Sequence, residues 1–182
     1  MHGSIIHGMS LLQKTTLYII CGIPFSGKTT LAKKLVKVFG YTHIDLDDVK
    51  LNMFGKHTKD SDIHQDGWDR IYQEMYKRIE TNLSNGRTVI HDTGNFTRHE
   101  RSLVRKIADK LGIEAITVFV NTPKEIALER LLQNRKNHNR FDVTTEDFES
   151  TIDELEVPDD HEKHLIYKTD IPIDLWIKKY FN

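Results

Sequence analysis

The chain has 182 residues, 26 of them Lys or Arg and 27 Asp or Glu, giving a formal charge of −1. At 38% hydrophobic and 29% charged it is too apolar for a disordered chain and too charged for a membrane protein. The even charge balance argues against a chain built to coat long nucleic acid, which carries a basic surplus. The single cysteine, Cys21, excludes an intramolecular disulfide and a thiolate zinc site and fits a reducing compartment, so a cytoplasmic location is expected.

No apolar run approaches the roughly 18 residues of a membrane span, so no membrane partner is expected. Met1–Ser10 lacks the basic and apolar regions of a signal peptide. Residues 1–14 read as a loose tail before one folded unit, 15–182.

Leu17-Tyr18-Ile19-Ile20-Cys21 is rich enough in β-branched and aromatic residues to be a buried strand. After a glycine-bounded loop, Leu31, Ala32, Leu35, Val36 and Phe39 fall on one helical face that stops at Gly40. Thr42–Asp45 reads as a second strand, followed by a long helix through Trp68, Ile71, Met75, Ile79 and Leu83. Val89-Ile90-His91-Asp92 forms the third strand, and a helix from about Arg98 to Leu111 is expected to turn Leu103, Ile107 and Leu111 inward. Ala115–Val120 is the clearest strand; Thr122 is then expected to cap a helix with Pro123 at its first position. A polar stretch near residues 133–143, a short helix from about Thr144, a strand at Leu165–Lys168 and a helix within Pro172–Phe181 complete the chain. Strands alternating with helices predict an α/β domain of about five parallel strands.

Gly22-Ile23-Pro24-Phe25-Ser26-Gly27-Lys28-Thr29 matches G-x-x-x-x-G-K-[ST] between a strand and a helix, the context this motif needs. Glycine lets the loop wrap phosphate oxygens closely, and the helix N-terminus adds positive partial charge. Lys28 can reach the β- and γ-phosphates, and the Thr29 hydroxyl can ligate Mg²⁺. The residues from Gly22 to Thr29, with the neighbouring Thr30, are therefore the expected nucleoside triphosphate site.

Asn121-Thr122-Pro123-Lys124 does not supply the N-K-x-D signature of a GTPase, and the chain is too short for a ring ATPase with its extra lid domain. A small phosphotransferase remains, which needs an acceptor carboxylate, a cation over the transferring group and a lid. Asp45-Leu46-Asp47-Asp48 follows the second strand, where ligands bind in such sheets. One of these aspartates can cap a helix; Asp47 is the preferred general base. Asp92, ending the third strand, suits Mg²⁺ or acceptor binding, or else caps its own turn.

Arg135 and Arg140 are unranked candidates for the lid cation, and Arg130 reads equally as a helix-surface residue. Arg98, Arg101 and Arg105 share a helical face that either holds an anionic acceptor, with Arg101 at its centre, or is plainly exposed. The ten histidines contain no convincing ligand set.

The phosphate loop, Asp45-Leu46-Asp47-Asp48-Val49-Lys50 and Val89–Asn95 together resemble the P-loop kinases related to polynucleotide kinase. That group includes zeta-toxin-like and chloramphenicol phosphotransferase-like enzymes and carries an AAA-type ATP-binding domain. The resemblance runs from about Leu17 to Asp160. It implies a three-layer fold with strand order 2-3-1-4-5, ATP and Mg²⁺ as cofactors, and phosphoryl transfer to a hydroxyl. It implies Asp47 as base and Lys50 as the acceptor-phosphate contact, where polynucleotide kinases carry a bidentate arginine. A small-molecule or nucleic-acid-end acceptor fits this reading; a nucleotide-holding sensor that hydrolyses ATP slowly is the alternative.

Overall fold

The computed structural model describes residues 14–56, 58–137 and 143–181. Arg140 and the tail to residue 13 lie outside the described residues. Five parallel strands, β1 (Thr16–Cys21), β2 (Thr42–Asp45), β3 (Val89–Asp92), β4 (Glu114–Asn121) and β5 (His164–Lys168), form one sheet in the order β2-β3-β1-β4-β5. The helices are α1 (Lys28–Phe39), α2 (Leu46–Phe54), α3 (Gln65–Ser84), α4 (Arg98–Lys110), α5 (Lys124–Asn137), α6 (Thr145–Glu154) and α7 (Ile173–Tyr180). The expected three-layer α/β architecture and strand order are both present.

β1 is central and buried along its whole length, as a strand covered on both faces must be. Its alternation divides the core. Leu17 and Ile19 meet Ile71, Met75, Ile79 and Val104 of α3 and α4, whereas Tyr18 and Ile20 meet Leu31 and Leu35 of α1 and Trp176 of α7. A smaller cluster of Ile23, Ala127, Leu131 and Phe148 fastens the loop after β1 to α5 and α6.

Two packing expectations are corrected. α4 buries Arg101, Val104 and Ala108, while Leu103 is 37% exposed. Ile107 and Leu111 pack against the core as expected, so the correction falls on Leu103 alone, whose place is taken by Val104 and by the buried Arg101. Thr122 is buried and donates its hydroxyl to the Ser26 carbonyl (2.7 Å), tying the end of β4 to the loop after β1. α5 also continues to Asn137, into the stretch expected to be a polar loop.

Candidate active site

The loop between β1 and α1 has a backbone that its sequence dictates. Gly22 has φ +143°, and a Cβ there would stand 2.7 Å from the Val120 carbonyl oxygen. Gly27 has φ +105° and ends the loop as the α1 N-cap, with no side chain capping the helix. That leaves the first-turn amides and the positive end of α1 for an anion. Phe25 bears the remaining left-handed conformation, φ +59°.

Ser26 is buried, and its hydroxyl has no hydrogen-bond partner among the described residues, as suits a group awaiting a ligand oxygen. Lys28 Nζ donates to the Gly22 (2.7 Å) and Ile23 (2.9 Å) carbonyls and lies 5.8 Å from the Phe96 ring centroid.

Pro24, Lys28, Thr29, Asp45, Asp47 and Asp92 line one cavity of about 210 Å³. Asp45 caps α2 by accepting from the Asp47 amide (2.8 Å), so the capping role falls to Asp45 and frees Asp47 from it. The Asp47 side chain is 58% exposed, with Oδ1 3.4 Å from Lys50 Nζ. Lys50 is buried and donates to Asp60 Oδ1 (2.6 Å), a partner on the turn before α3 that nothing in the sequence singles out.

Asp92 is buried and accepts from His43 Nε2 (3.0 Å); the same nitrogen lies 3.9 Å from Asp45 Oδ2. Ligand atoms of His43, Asp45 and Asp92 lie within 4.8 Å of one another. Burial, then the Asp92 charge, pushes Asp45 up to about 6. Burial alone would lower the His43 pKa, but the hydrogen bond and charge of Asp92 prevail and raise it. Two carboxylates held this close fit a divalent cation of oxygen-ligand preference such as Mg²⁺, with Thr29 on the same wall. One histidine joins this cluster: His43 and Asp45, two apart on β2, face Asp92 on β3. The period-2 pairing of His43 with Asp45 was the available signal.

On the other side of the phosphate loop a cleft of about 350 Å³ is lined by Phe25, Gly27, Thr30, Arg130, Asn134 and Tyr167. Arg130 is no surface residue there. Its Nη1 donates to the Phe25 (3.1 Å) and Ser26 (3.0 Å) carbonyls, holding the loop from below. Arg135 donates to the Val143 carbonyl (2.8 Å) and Thr145 Oγ1 (3.3 Å), spanning from α5 to the start of α6.

The arginine face on α4 is corrected. Arg101 is 0% exposed, gripping Glu162 through Nη2 (2.6 Å) and Nε and donating from Nη1 to the Asn95 and Phe96 carbonyls (3.0 Å each). Arg105 bonds the Ala115 carbonyl, Thr117 Oγ1 and Glu162, and Arg98 pairs with Asp159. Arg101 and Arg105 are engaged within the protein, Arg98 is held in a half-exposed ion pair, and Arg101 is sealed away from any acceptor. Only Glu162, distant in sequence, reveals this, so the spacing of the arginines gave no hint.

A triphosphate-binding loop at the carboxyl end of the central strand of a 2-3-1-4-5 parallel sheet, facing clustered carboxylates, defines the class: this is a P-loop kinase. The chain belongs to the AAA domain family, whose model matches residues 17–158. It is 27% identical over 155 residues to a shikimate kinase of Chlamydia pneumoniae, covering 80% of this chain and 88% of that one. Among solved structures, a Chloroflexus aurantiacus chain of proposed kinase activity superposes with a TM-score of 0.72 at 19% identity, over 93% of this chain and 100% of that one. The Mycobacterium tuberculosis APS kinase, solved with AMPPNP and APS, gives 0.62 at 17% identity, over 92% and 96%. No helix among the described residues is long and apolar enough to cross a membrane.

Proposed function

We propose that the protein transfers the γ-phosphoryl group of MgATP to a hydroxyl acceptor. The observation that carries this is the convergence of Lys28, Thr29, Asp45, Asp47 and Asp92 on one cavity beside the phosphate loop. The loop amides and Lys28 hold the β- and γ-phosphates, with Lys28 exchanging its loop carbonyls for phosphate oxygens. Thr29, Asp92 and Asp45 hold Mg²⁺, which supplies charge neutralisation at the phosphate oxygens. The acceptor oxygen bonds to the γ-phosphorus, the bond to the β–γ bridging oxygen breaks, ADP leaves, and the hydroxyl proton passes to the Asp47 carboxylate.

Exposure of Asp47 at the cavity mouth, with Lys50 beside it, supports its meeting an incoming hydroxyl. The cleft around Thr30, Arg130 and Tyr167 suits the nucleoside. Arg135 and Arg140 are the lid cations in this reading; the fastening of Val143 by Arg135 supports a link between the lid and the cavity that Val143 lines. The lone, buried Cys21 supports a reducing, cytoplasmic setting.

The test is to follow labelled γ-phosphate with a panel of hydroxyl compounds and 5′-hydroxyl oligonucleotides. Label on an acceptor, reduced about 100-fold or more by Asp47→Asn, is the expected result. Release of free phosphate alone would instead identify a nucleotide-holding sensor.

A further inference from the structure

The reaction cavity is poor in available positive charge. Apart from Lys28, the lysine lining the reaction cavity is Lys50, and its ammonium is already offset by Asp60 at 2.6 Å and Asp47 at 3.4 Å. A further cavity, about 280 Å³, lies between α3 and α4 and shares Thr93 with the reaction cavity. Asp69, Tyr72 and Tyr76 line it from α3, and Glu100 from α4. No Lys or Arg is among its described lining residues. The two tyrosine rings stand 6.3 Å apart.

His91 also lines this cavity, and its hydrogen bonding is incomplete. The Ile20 carbonyl accepts from Asn95 Nδ2 at 2.8 Å, which fixes the orientation of that amide. The same nitrogen lies 3.3 Å from His91 Nδ1, so Nδ1 accepts and Nε2 carries the ring proton. Nε2 is buried without a partner. Alternation along β3 sends His91 to the sheet face covered by α3 and α4, the face on which this cavity lies. A buried N–H donor without an acceptor is rare and marks a place for a ligand oxygen.

We propose that the α3–α4 cavity is the specificity subsite for the phosphoryl acceptor, and that this acceptor is a hydroxyl compound carrying a protonated amine. The inference rests on the kinase reading above. Two carboxylates and two tyrosine rings, with no cation among the lining residues, attract an ammonium group and repel a carboxylate or phosphate. An oxygen of the same ligand satisfies His91 Nε2, and Thr93, common to both cavities, marks the way to the hydroxyl that faces Asp47.

The test uses the full chain and acceptors matched in skeleton, with glucosamine, N-acetylglucosamine and glucuronate as the first set and further ammonium, N-acetyl and carboxylate forms of other polyols after it. Binding of a non-hydrolysable ATP analogue is measured in parallel. The ammonium member is expected to be phosphorylated with at least tenfold higher kcat/KM than its N-acetyl partner, and the carboxylate member least. Glu100→Gln keeps the acceptor that the α4 capping box needs but removes the charge. It should lower the ammonium-to-acetyl ratio at least tenfold, whereas a merely structural role would move both substrates together. Preference for the acetyl or carboxylate form, an unchanged ratio in Glu100→Gln, or transfer to no member while the ATP analogue binds would overturn the subsite. Failure of the ATP analogue to bind would instead remove the kinase reading on which it rests.

Discussion

Asp45 and Asp92 are register partners across the β2–β3 pair, and both carboxylates approach the same imidazole nitrogen of His43. Their mutual repulsion raises the Asp45 pKa, on top of burial. In the proposed function a divalent cation would relieve that repulsion, while the hydrogen bond from His43 would hold Asp92 in place. His43→Ala should therefore reduce magnesium-dependent turnover about 10–100-fold, in the range found for partners of metal ligands. Asp92→Asn should cost more. Turnover against magnesium concentration checks this, and the His43 variant should need more magnesium for half-maximal rate.

Gly22→Ala should damage the phosphate loop. The φ of +143° and the 2.7 Å approach to the Val120 carbonyl leave no room for a methyl group. Strain of this sort costs about 1–3 kcal/mol. The expected outcome is a lower urea midpoint together with at least tenfold weaker binding of an ATP analogue. Gly40, where a Cβ meets nothing within 4 Å, is the comparison: Gly40→Ala carries strain from φ +70° alone and should leave nucleotide affinity near wild type.

Arg101→Met should destabilise the fold by about 3–5 kcal/mol, because it takes the fully buried partner from the Glu162 carboxylate and leaves it only Arg105 and Thr117. Burial alone would raise the Glu162 pKa, but the hydrogen bonds from Arg101 and Thr117 prevail and lower it. The unfolded chain then binds more protons in the window below the ordinary glutamate value of about 4.3, so stability present at neutral pH is lost as pH falls through that window. Urea unfolding at a series of pH values should lose this component in Glu162→Gln.

Cys21 is buried in β1, and burial pushes its thiol up to about 12. The native protein should resist a maleimide reagent at neutral pH and react fully once unfolded, as followed by mass.

The sheet order, set by non-local pairing, came only through the resemblance to P-loop kinases. The phosphate loop was legible because it is a local signal: a buried strand, a glycine-bounded turn and a helix in sequence. Asp45, Asp47 and Asp92 were legible as strand-end carboxylates for the same reason. The division of labour between Asp45 as cap and Asp47 as exposed carboxylate depends on a 2.8 Å contact that sequence spacing alone does not settle. Arg101 was misread because an arginine at helical spacing looks exposed unless its counter-ion is known, and Glu162 lies 61 residues away. Leu103 was misread with it, since Arg101 and Val104 fill the buried face of that turn while Ile107 and Leu111 still pack against the core. The cavity between α3 and α4 was hidden because its tyrosines share a helical face with Trp68, which packs against the core.

The central claim is that the loop from Gly22 to Thr29 holds the phosphates of ATP and positions them beside Asp47. Calorimetric titration of a non-hydrolysable ATP analogue into the purified chain, with and without magnesium, tests it most directly. One site per chain is expected, strengthened by magnesium and weakened at least tenfold by Lys28→Ala. Absence of heat with magnesium present, or equal affinity in the Lys28 variant, would contradict it.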